Sequence, residues 1–270
     1  MPELPEVETI CRQLDPVLRG RRLESIELLD PKLELPGSAD LAGCSVRRVE
    51  RLGKRVGLEF QGGSWLTIHL RMTGRLLWLA DDAERPTDHV RALLRFAGGE
   101  LVFHDVRRFG TLELHPTRAA AEPTGLDPLG ADFTVARLGE TLADSRQQIK
   151  VWLLRQDRLV GLGNIYAAEI LFDARISPHK PAGELSGAEI ARLHASTVKI
   201  LTEAVRHRGT SLSDYRDAGN TRGGFQEQLR VYGRAEEHCP RCGAEIVRCI
   251  QCQRSTFYCP HCQADAAAEL

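Results

Sequence analysis

Two Cys-x-x-Cys pairs, Cys239-Pro-Arg-Cys242 and Cys259-Pro-His-Cys262, stand 16 residues apart near the end of a 270-residue chain. A tetrahedral zinc ion takes four thiolates, and each short Cys-x-x-Cys turn delivers two of them from one knuckle. The spacing predicts a zinc ribbon, with Thr256-Phe257-Tyr258 as a strand leading into the second knuckle. Four protein ligands leave no position for water, so one structural Zn2+ is expected at Cys239, Cys242, Cys259 and Cys262. Six of the eight cysteines lie in this stretch, which points to metal in a reducing compartment rather than a disulfide scaffold. Cys249 and Cys252 are a third pair between the outer two. A four-coordinate ion has no place for them, and they read as spare thiols near the hairpin turn.

Ahead of the ribbon the apolar period changes twice. Val7, Ile10, Cys11, Leu14 and Leu18 recur at three- and four-residue steps behind Pro5, which predicts a short helix. Period-two stretches follow at Val56–Phe60, Trp65–Leu70, Leu76–Leu79, Val90–Phe96, Leu101–His104 and Thr111–His115, with Gly62-Gly63 and Gly98-Gly99 as turns. Residues 1–115 thus read as a mainly β domain with one N-terminal helix. Pro- and Gly-rich residues 116–132 read as a linker. Beyond it the period is helical: a segment starting at Ile149–Leu154, one from Asn164 over Ile165–Phe172, and a long one through Ile190, Leu193, Thr197, Ile200, Leu201 and Ala204. Thr210–Gly224, with Gly219, Gly223 and Gly224, reads as a mobile loop.

Charge narrows the function classes. Thirty-six basic residues against 37 acidic ones argue against a globally basic nucleic-acid binder. Locally, Arg47, Arg48, Arg51, Lys54, Arg55, Arg71 and Arg75 face only Glu50 and Glu59, a patch able to follow a phosphate backbone. No apolar run is long enough to span a bilayer, and Met1–Glu8 has no secretory-signal pattern, so no membrane partner is expected.

The opening Met1-Pro2-Glu3-Leu4-Pro5-Glu6 carries chemistry. Once Met1 is removed, Pro2 is a secondary amine, and an α-amino pKa near 8 leaves a neutral fraction at pH 7. Such an amine attacks a sugar C1′ or a carbonyl and forms an iminium ion. Glu3 stands beside it as a proton donor or acceptor, and Glu6 lies a turn further on.

Met-Pro-Glu-Leu-Pro-Glu-Val-Glu-Thr, Gly53-Lys54-Arg55, His69-Leu70-Arg71-Met72, Asp105-Val106-Arg107-Arg108-Phe109-Gly110, Gly161-Leu162-Gly163-Asn164-Ile165-Tyr166, Val231-Tyr232-Gly233-Arg234 and the cysteine ribbon occur in this order. Together they closely resemble bacterial formamidopyrimidine-DNA glycosylase, over essentially the whole chain. The resemblance implies an α+β fold: an N-terminal β-sandwich domain with an N-terminal helix (1–115), the linker (116–132), a helical helix-two-turn-helix domain with a lesion loop (133–224) and a zinc finger (225–270), with DNA in the cleft between. It implies a bifunctional base-excision repair enzyme, a DNA glycosylase and abasic-site lyase. Such an enzyme removes oxidised purines (8-oxoguanine, formamidopyrimidines) and then cuts the strand by β- and δ-elimination.

Carried over by position, the resemblance makes Pro2 the Schiff-base nucleophile, Glu3 the acid for the leaving nucleoside, and Lys54 the β-elimination lysine. Arg254 serves δ-elimination and DNA binding. Met72, Arg107 and Phe109 fill the gap left by an extruded base, which must leave the stack before it can be processed. Lys150 and Asn164 are phosphate contacts, Asn164 at a helix start where N–H groups bind anions. The partner is damaged double-stranded DNA. A monomer without a nucleotide cofactor is expected, in the bacterial cytoplasm and at the nucleoid when acting.

The chain departs from the family pattern at Thr87-Asp88-His89, where relatives carry His-Asp-His, so His89 takes only the second position of that contact. Ser145 or Arg146 stands where a family lysine is usual, and Cys249 and Cys252 stand where many relatives have no cysteine. Two rival readings are an endonuclease VIII-type enzyme for oxidised pyrimidines, which Leu4 disfavours, and a zinc-ribbon DNA-binding protein without catalysis.

Overall fold

A computed structural model describes residues 1–81 and 83–264. The chain divides into two compact units, Met1–Pro123 with Val205–Gln226, and Thr124–Ala204 with Glu227–Leu270.

The first unit opens with helix α1 (Leu4–Leu18), whose Val7, Ile10, Cys11, Leu14 and Leu18 are all buried. Eight strands follow: β1 (Leu23–Leu28), β2 (Val46–Leu52), β3 (Arg55–Phe60), β4 (Trp65–His69), β5 (Gly74–Ala80), β6 (Val90–Phe96), β7 (Gly99–Asp105) and β8 (Thr111–His115). They make two antiparallel four-stranded sheets, ordered β1-β6-β7-β5 and β2-β3-β4-β8. One apolar cluster takes α1 together with Val46, Val56, Leu58 and Ile68 from one sheet and Leu76, Leu94, Leu101 and Phe103 from the other. That shared core is what makes the pair of sheets a sandwich.

The sequence reading misses β1 and β2. Each contains a register shift, at Leu23/Ser25 and at Val46/Arg48. A bulge inserts a residue and breaks the period of two, so in β2 the buried positions fall at Val46, Val49 and Leu52, a spacing of three.

Thr210–Gly224 lacks regular structure but is tied down. Ser211 Oγ donates to Tyr215 O at 3.0 Å and accepts from Gly223 N at 2.9 Å, and Asp217 Oδ1 accepts from Thr221 N at 2.8 Å. The loop also bonds α1: Gln13 Nε2 donates to Asp217 Oδ2 at 2.9 Å, and Tyr215 OH donates to Glu6 O at 3.2 Å. These bonds are why Val205–Gln226 groups with the first unit rather than with the helical stretch expected over 133–224.

The second unit contains α3 (Val135–Leu142), α4 (Ile149–Leu153), α5 (Asn164–Ala174) and α6 (Gly187–Arg206, within this unit to Ala204); the short α2 (Arg118–Ala121) belongs to the first unit. Glu169 on α5, fully buried, accepts from the backbone N–H groups of Arg230, Val231 and Tyr232 at 3.0, 2.9 and 2.9 Å. Those bonds seat the chain that leads into hairpin β9 (Val247–Gln251) and β10 (Arg254–Tyr258). No helix among the described residues is long and apolar enough to cross a membrane.

Candidate active site

Pro2 and Glu3 are buried at the mouth of α1, with Glu3 as N-cap in extended conformation and Pro5 in the first turn. Glu6 is almost fully buried, and its carboxylate spans two segments. Oε2 accepts from Glu3 N at 2.7 Å, and Oε1 accepts from Thr210 N at 2.6 Å. Gly209, in the left-handed region at φ 77, lies so close that a Cβ there would sit 2.6 Å from Glu6 Oε1. Glu6 therefore orients the backbone next to Pro2 and ties it to the 209–211 loop. Sequence reading passes over this role because Thr210 is 204 residues away.

Lys54 sits in the two-residue turn between β2 and β3 behind Gly53, whose φ is 63. A glycine at the first central position lets the turn match the strand twist. Lys54 is mostly buried. His69, at the end of β4 and paired with Arg55 of β3, reports the local field: burial first, then Arg71, Lys54 and Arg55, pull its pKa from 6.5 to about 4. Its Nδ1 accepts from Arg71 N at 3.0 Å. The patch expected from Arg47 to Arg75 is partly spent inside the fold. Arg47 and Arg48 both pair with Glu59, at 3.3 and 2.5 Å, and Arg51, nearly buried, pairs with Glu8 at 3.0 Å.

Met72, Arg107 and Phe109 share one frame. Met72 is 44% exposed and Phe109 52%. Arg107 lies over the Phe109 ring, with Cζ 4.8 Å from the centroid. Beneath them the buried Asp105 carboxylate accepts from Thr73 Oγ1, from Arg107 N at 3.2 Å, from Phe109 N at 2.9 Å and from Gly110 N at 2.8 Å. Arg107 N also reaches Thr73 Oγ1 at 3.0 Å, which joins the Met72 loop to the Phe109 loop. Gly74 closes the first loop, where a Cβ would lie 2.3 Å from Leu70 O. Large apolar side chains held in water on a satisfied polar frame are placed to meet something apolar. Arg108 turns away to chelate Asp30, whose pKa falls to about 2 chiefly through that hydrogen bond. His89 is exposed at φ 60, with Nδ1 3.3 Å from Arg91 Nη2.

In the second unit, Lys150, Asn164 and Arg254 converge on one hairpin. The Ser255 carbonyl accepts from Asn164 Nδ2 at 2.8 Å and from Lys150 Nζ at 3.5 Å. Arg254, beside it, is exposed, and its side chain makes no hydrogen bond or ion pair among the described residues. The left-handed pair Cys252-Gln253, at φ 45 and 61, forms the turn before it. Gly163 caps α5, and the Asn164 amide reaches the hairpin. Lys150 is buried, with its ammonium at the hairpin carbonyl.

The sulfurs of Cys239, Cys242, Cys259 and Cys262 all lie within 4.8 Å of one another. Cys239 and Cys262 are 3.9 Å apart, and Cys242 and Cys259 are 3.5 Å apart. Sulfurs about 2.3 Å from a tetrahedral zinc stand about 3.8 Å from each other, so the four residues fit such an ion. Arg241 N and Cys262 N point at Cys239 Sγ and Cys259 Sγ at 3.5 and 3.4 Å, as in a metal knuckle. Cys249, in β9, and Cys252, in the turn, lie outside the four.

Residues 1–112 match the formamidopyrimidine-DNA glycosylase N-terminal domain, and residues 124–216 match that family's H2TH domain. A formamidopyrimidine-DNA glycosylase from Chloroflexus aurantiacus is 42% identical, over 97% of this chain and 98% of its own. Among solved structures, a Lactococcus lactis FPG point mutant in complex with Fapy-dG-containing DNA has a TM-score of 0.89 at 37% identity, covering 98% of this chain and all of that one. The Lactococcus lactis Fpg in complex with abasic-site DNA has a TM-score of 0.88 at 37% identity, covering 97% of this chain and all of that one.

Proposed function

The chain belongs to the formamidopyrimidine-DNA glycosylase family, and from that premise we propose that it excises oxidised purines from double-stranded DNA through Pro2 and then cuts the abasic strand. The observation that carries the reading is the helix start: Pro2 and Glu3 are buried together, and one carboxylate, Glu6, holds the Glu3 N–H with one oxygen and the Thr210 N–H with the other. A nucleophile needs such fixation, because effective molarity comes from geometry set before the reaction.

Pro2 nitrogen, freed by removal of Met1, attacks C1′ of the damaged nucleoside. The glycosidic C–N bond breaks as Glu3 protonates the departing base; Glu3 then takes up the amine's own proton and returns it to O4′ as the C1′–O4′ bond opens, which leaves the iminium ion. Loss of a C2′ proton expels the 3′ phosphate, and a second elimination expels the 5′ phosphate. Lys54, in its electropositive turn, serves the first elimination, and Arg254 serves the second and binds phosphate. Met72 and Phe109 occupy the stack left by the flipped base, and Arg107 hydrogen-bonds its orphaned partner; wedges of this kind offset a flipping cost of about a few kcal/mol. Asn164 and Lys150, which hold the arginine-bearing hairpin, contact backbone phosphate beside it, and His89 contributes a DNA contact on the first unit.

One zinc ion, held by Cys239, Cys242, Cys259 and Cys262, supplies fold stability to this ribbon and no reactive position. The protein works as a monomer in the bacterial cytoplasm, without a nucleotide cofactor.

The test is a nicking assay on an 8-oxoguanine·cytosine duplex. The processed chain should release the base and leave phosphate on both strand ends. A version with a blocked amino terminus should do neither. Cleavage of thymine glycol DNA with none at 8-oxoguanine would move the chain to the pyrimidine branch.

A further inference from the structure

One face of the β1-β6-β7-β5 sheet carries a positive cluster that neither the helix start nor the Asp105 frame uses. Leu76 and Phe103 point into the sandwich core. Side chains alternate along a strand, so Arg75 and His104, directly paired across β5 and β7, stand on the opposite face. They border a small apolar cluster of Leu77, Leu93 and Val102. Arg75 Nε and His104 Nδ1 are both sealed from solvent, and neither has a hydrogen-bond partner. Among the described residues neither side chain forms an ion pair.

The surroundings add positive charge. His89 sets its ring edge-on to His104, with centroids 5.7 Å apart and planes at 86°. Arg91 lies against His89 and is shared with Asp30 at 3.7 Å, and Arg216 acts on Arg75 with Asp214 opposing it. Asp105, the acid acting on His104, is already committed to Thr73 and three backbone N–H groups. Both residues keep part of their surface exposed, so an acceptor that carries negative charge can reach the pair, and a small rotation of either side chain turns its unmatched nitrogen toward it.

We propose that Arg75 and His104, flanked by His89, form a subsite for a backbone phosphate of the DNA substrate. This rests on the DNA-glycosylase reading and deepens it. The arginine gives directed N–H donors, and His104 completes the pair from the neighbouring strand. In the free protein burial, then Arg75, His89 and Arg91, hold His104 below the usual histidine range, against Asp105. A bound phosphate reverses that balance. Binding at this subsite therefore takes up a proton, and DNA affinity rises as pH falls from the alkaline to the mildly acidic side of neutrality.

The experiment uses the zinc-loaded full chain and anisotropy titrations of an 8-oxoguanine duplex over a range of salt and pH. Arg75→Gln should flatten the slope of log K against log salt by about 0.9, one phosphate's share. Arg75→Lys, which keeps the charge, should keep the slope and control for folding. His104→Gln should remove the tightening on acidification. Unchanged slope in Arg75→Gln together with unchanged pH response in His104→Gln overturns the subsite. Inorganic phosphate is the second probe. At constant ionic strength it should compete with the duplex more strongly in wild type than in Arg75→Gln, whereas phosphate binding that needs Arg75 with no change in the DNA salt slope assigns the site to free phosphate and overturns the proposal. Borohydride trapping by the wild-type chain reads the glycosylase mechanism separately. Trapping without a change of slope removes the subsite alone, and a change of slope without trapping removes the Pro2 mechanism alone.

Discussion

The loops bearing Met72 and Phe109 and the hairpin bearing Arg254 both present exposed side chains on a rigid support, but the supports differ in kind. The first is a hydrogen-bonded frame in which buried Asp105 takes four donors from two loops. The second is two five-residue strands whose anchorage is four sulfurs and one shared carbonyl, that of Ser255. A hairpin that short is marginal alone and needs a staple. The first region should thus be independent of metal and sensitive to single polar groups, and the second the reverse.

Metal removal gives the largest predicted effect, since structural zinc contributes about 10–16 kcal/mol in isolated zinc-finger peptides. Chelation, or Cys242→Ser, should collapse the hairpin. Losing even a small part of that anchoring energy should weaken DNA binding by more than about tenfold, while hydrogen exchange of the sandwich strands stays slow. Loss of protection in both regions together would break the contrast. Next comes Asp105→Ala, which strands buried donors and should cost about 3 kcal/mol in a urea titration, with zinc content unchanged.

A smaller effect concerns pH. His69 is held neutral, with its pKa lowered from 6.5 to about 4. Between those values the unfolded chain binds the proton and the folded chain does not, so stability falls as pH drops through that window. His69→Gln should flatten this part of the stability–pH curve, and an unaltered curve would show that the positive field around Lys54 is weaker than the geometry indicates. The smallest effect is Thr73→Val, about 1 kcal/mol for one hydrogen bond. Combined with Asp105→Ala it should add almost nothing, because both act through the same frame.

Much of this was legible in the residues. Six strands follow from period two, α1 from its three- and four-residue steps, and the metal set from cysteine spacing, which the sulfur positions support. Strands β1 and β2 escape because a bulge shifts their period, and in β2 Arg47, Arg48, Glu50 and Arg51 mask the apolar positions. The supports of the candidate site escape for another reason. Glu6 and Asp105 act on backbone N–H groups, which every residue but proline carries, so no side-chain pattern marks their partners. The pairing of Arg75 with His104 needs the register of two strands, β5 and β7, that are far apart in the chain, and only the fold supplies it.

The central claim is that the amine of Pro2 carries the chemistry. Borohydride reduction during turnover of an 8-oxoguanine duplex, followed by mass mapping of the cross-linked peptide, tests it most directly. The account predicts a deoxyribose adduct on the nitrogen of Pro2, in a chain lacking Met1. An adduct on Lys54 or another side chain, or active protein that retains Met1, contradicts it.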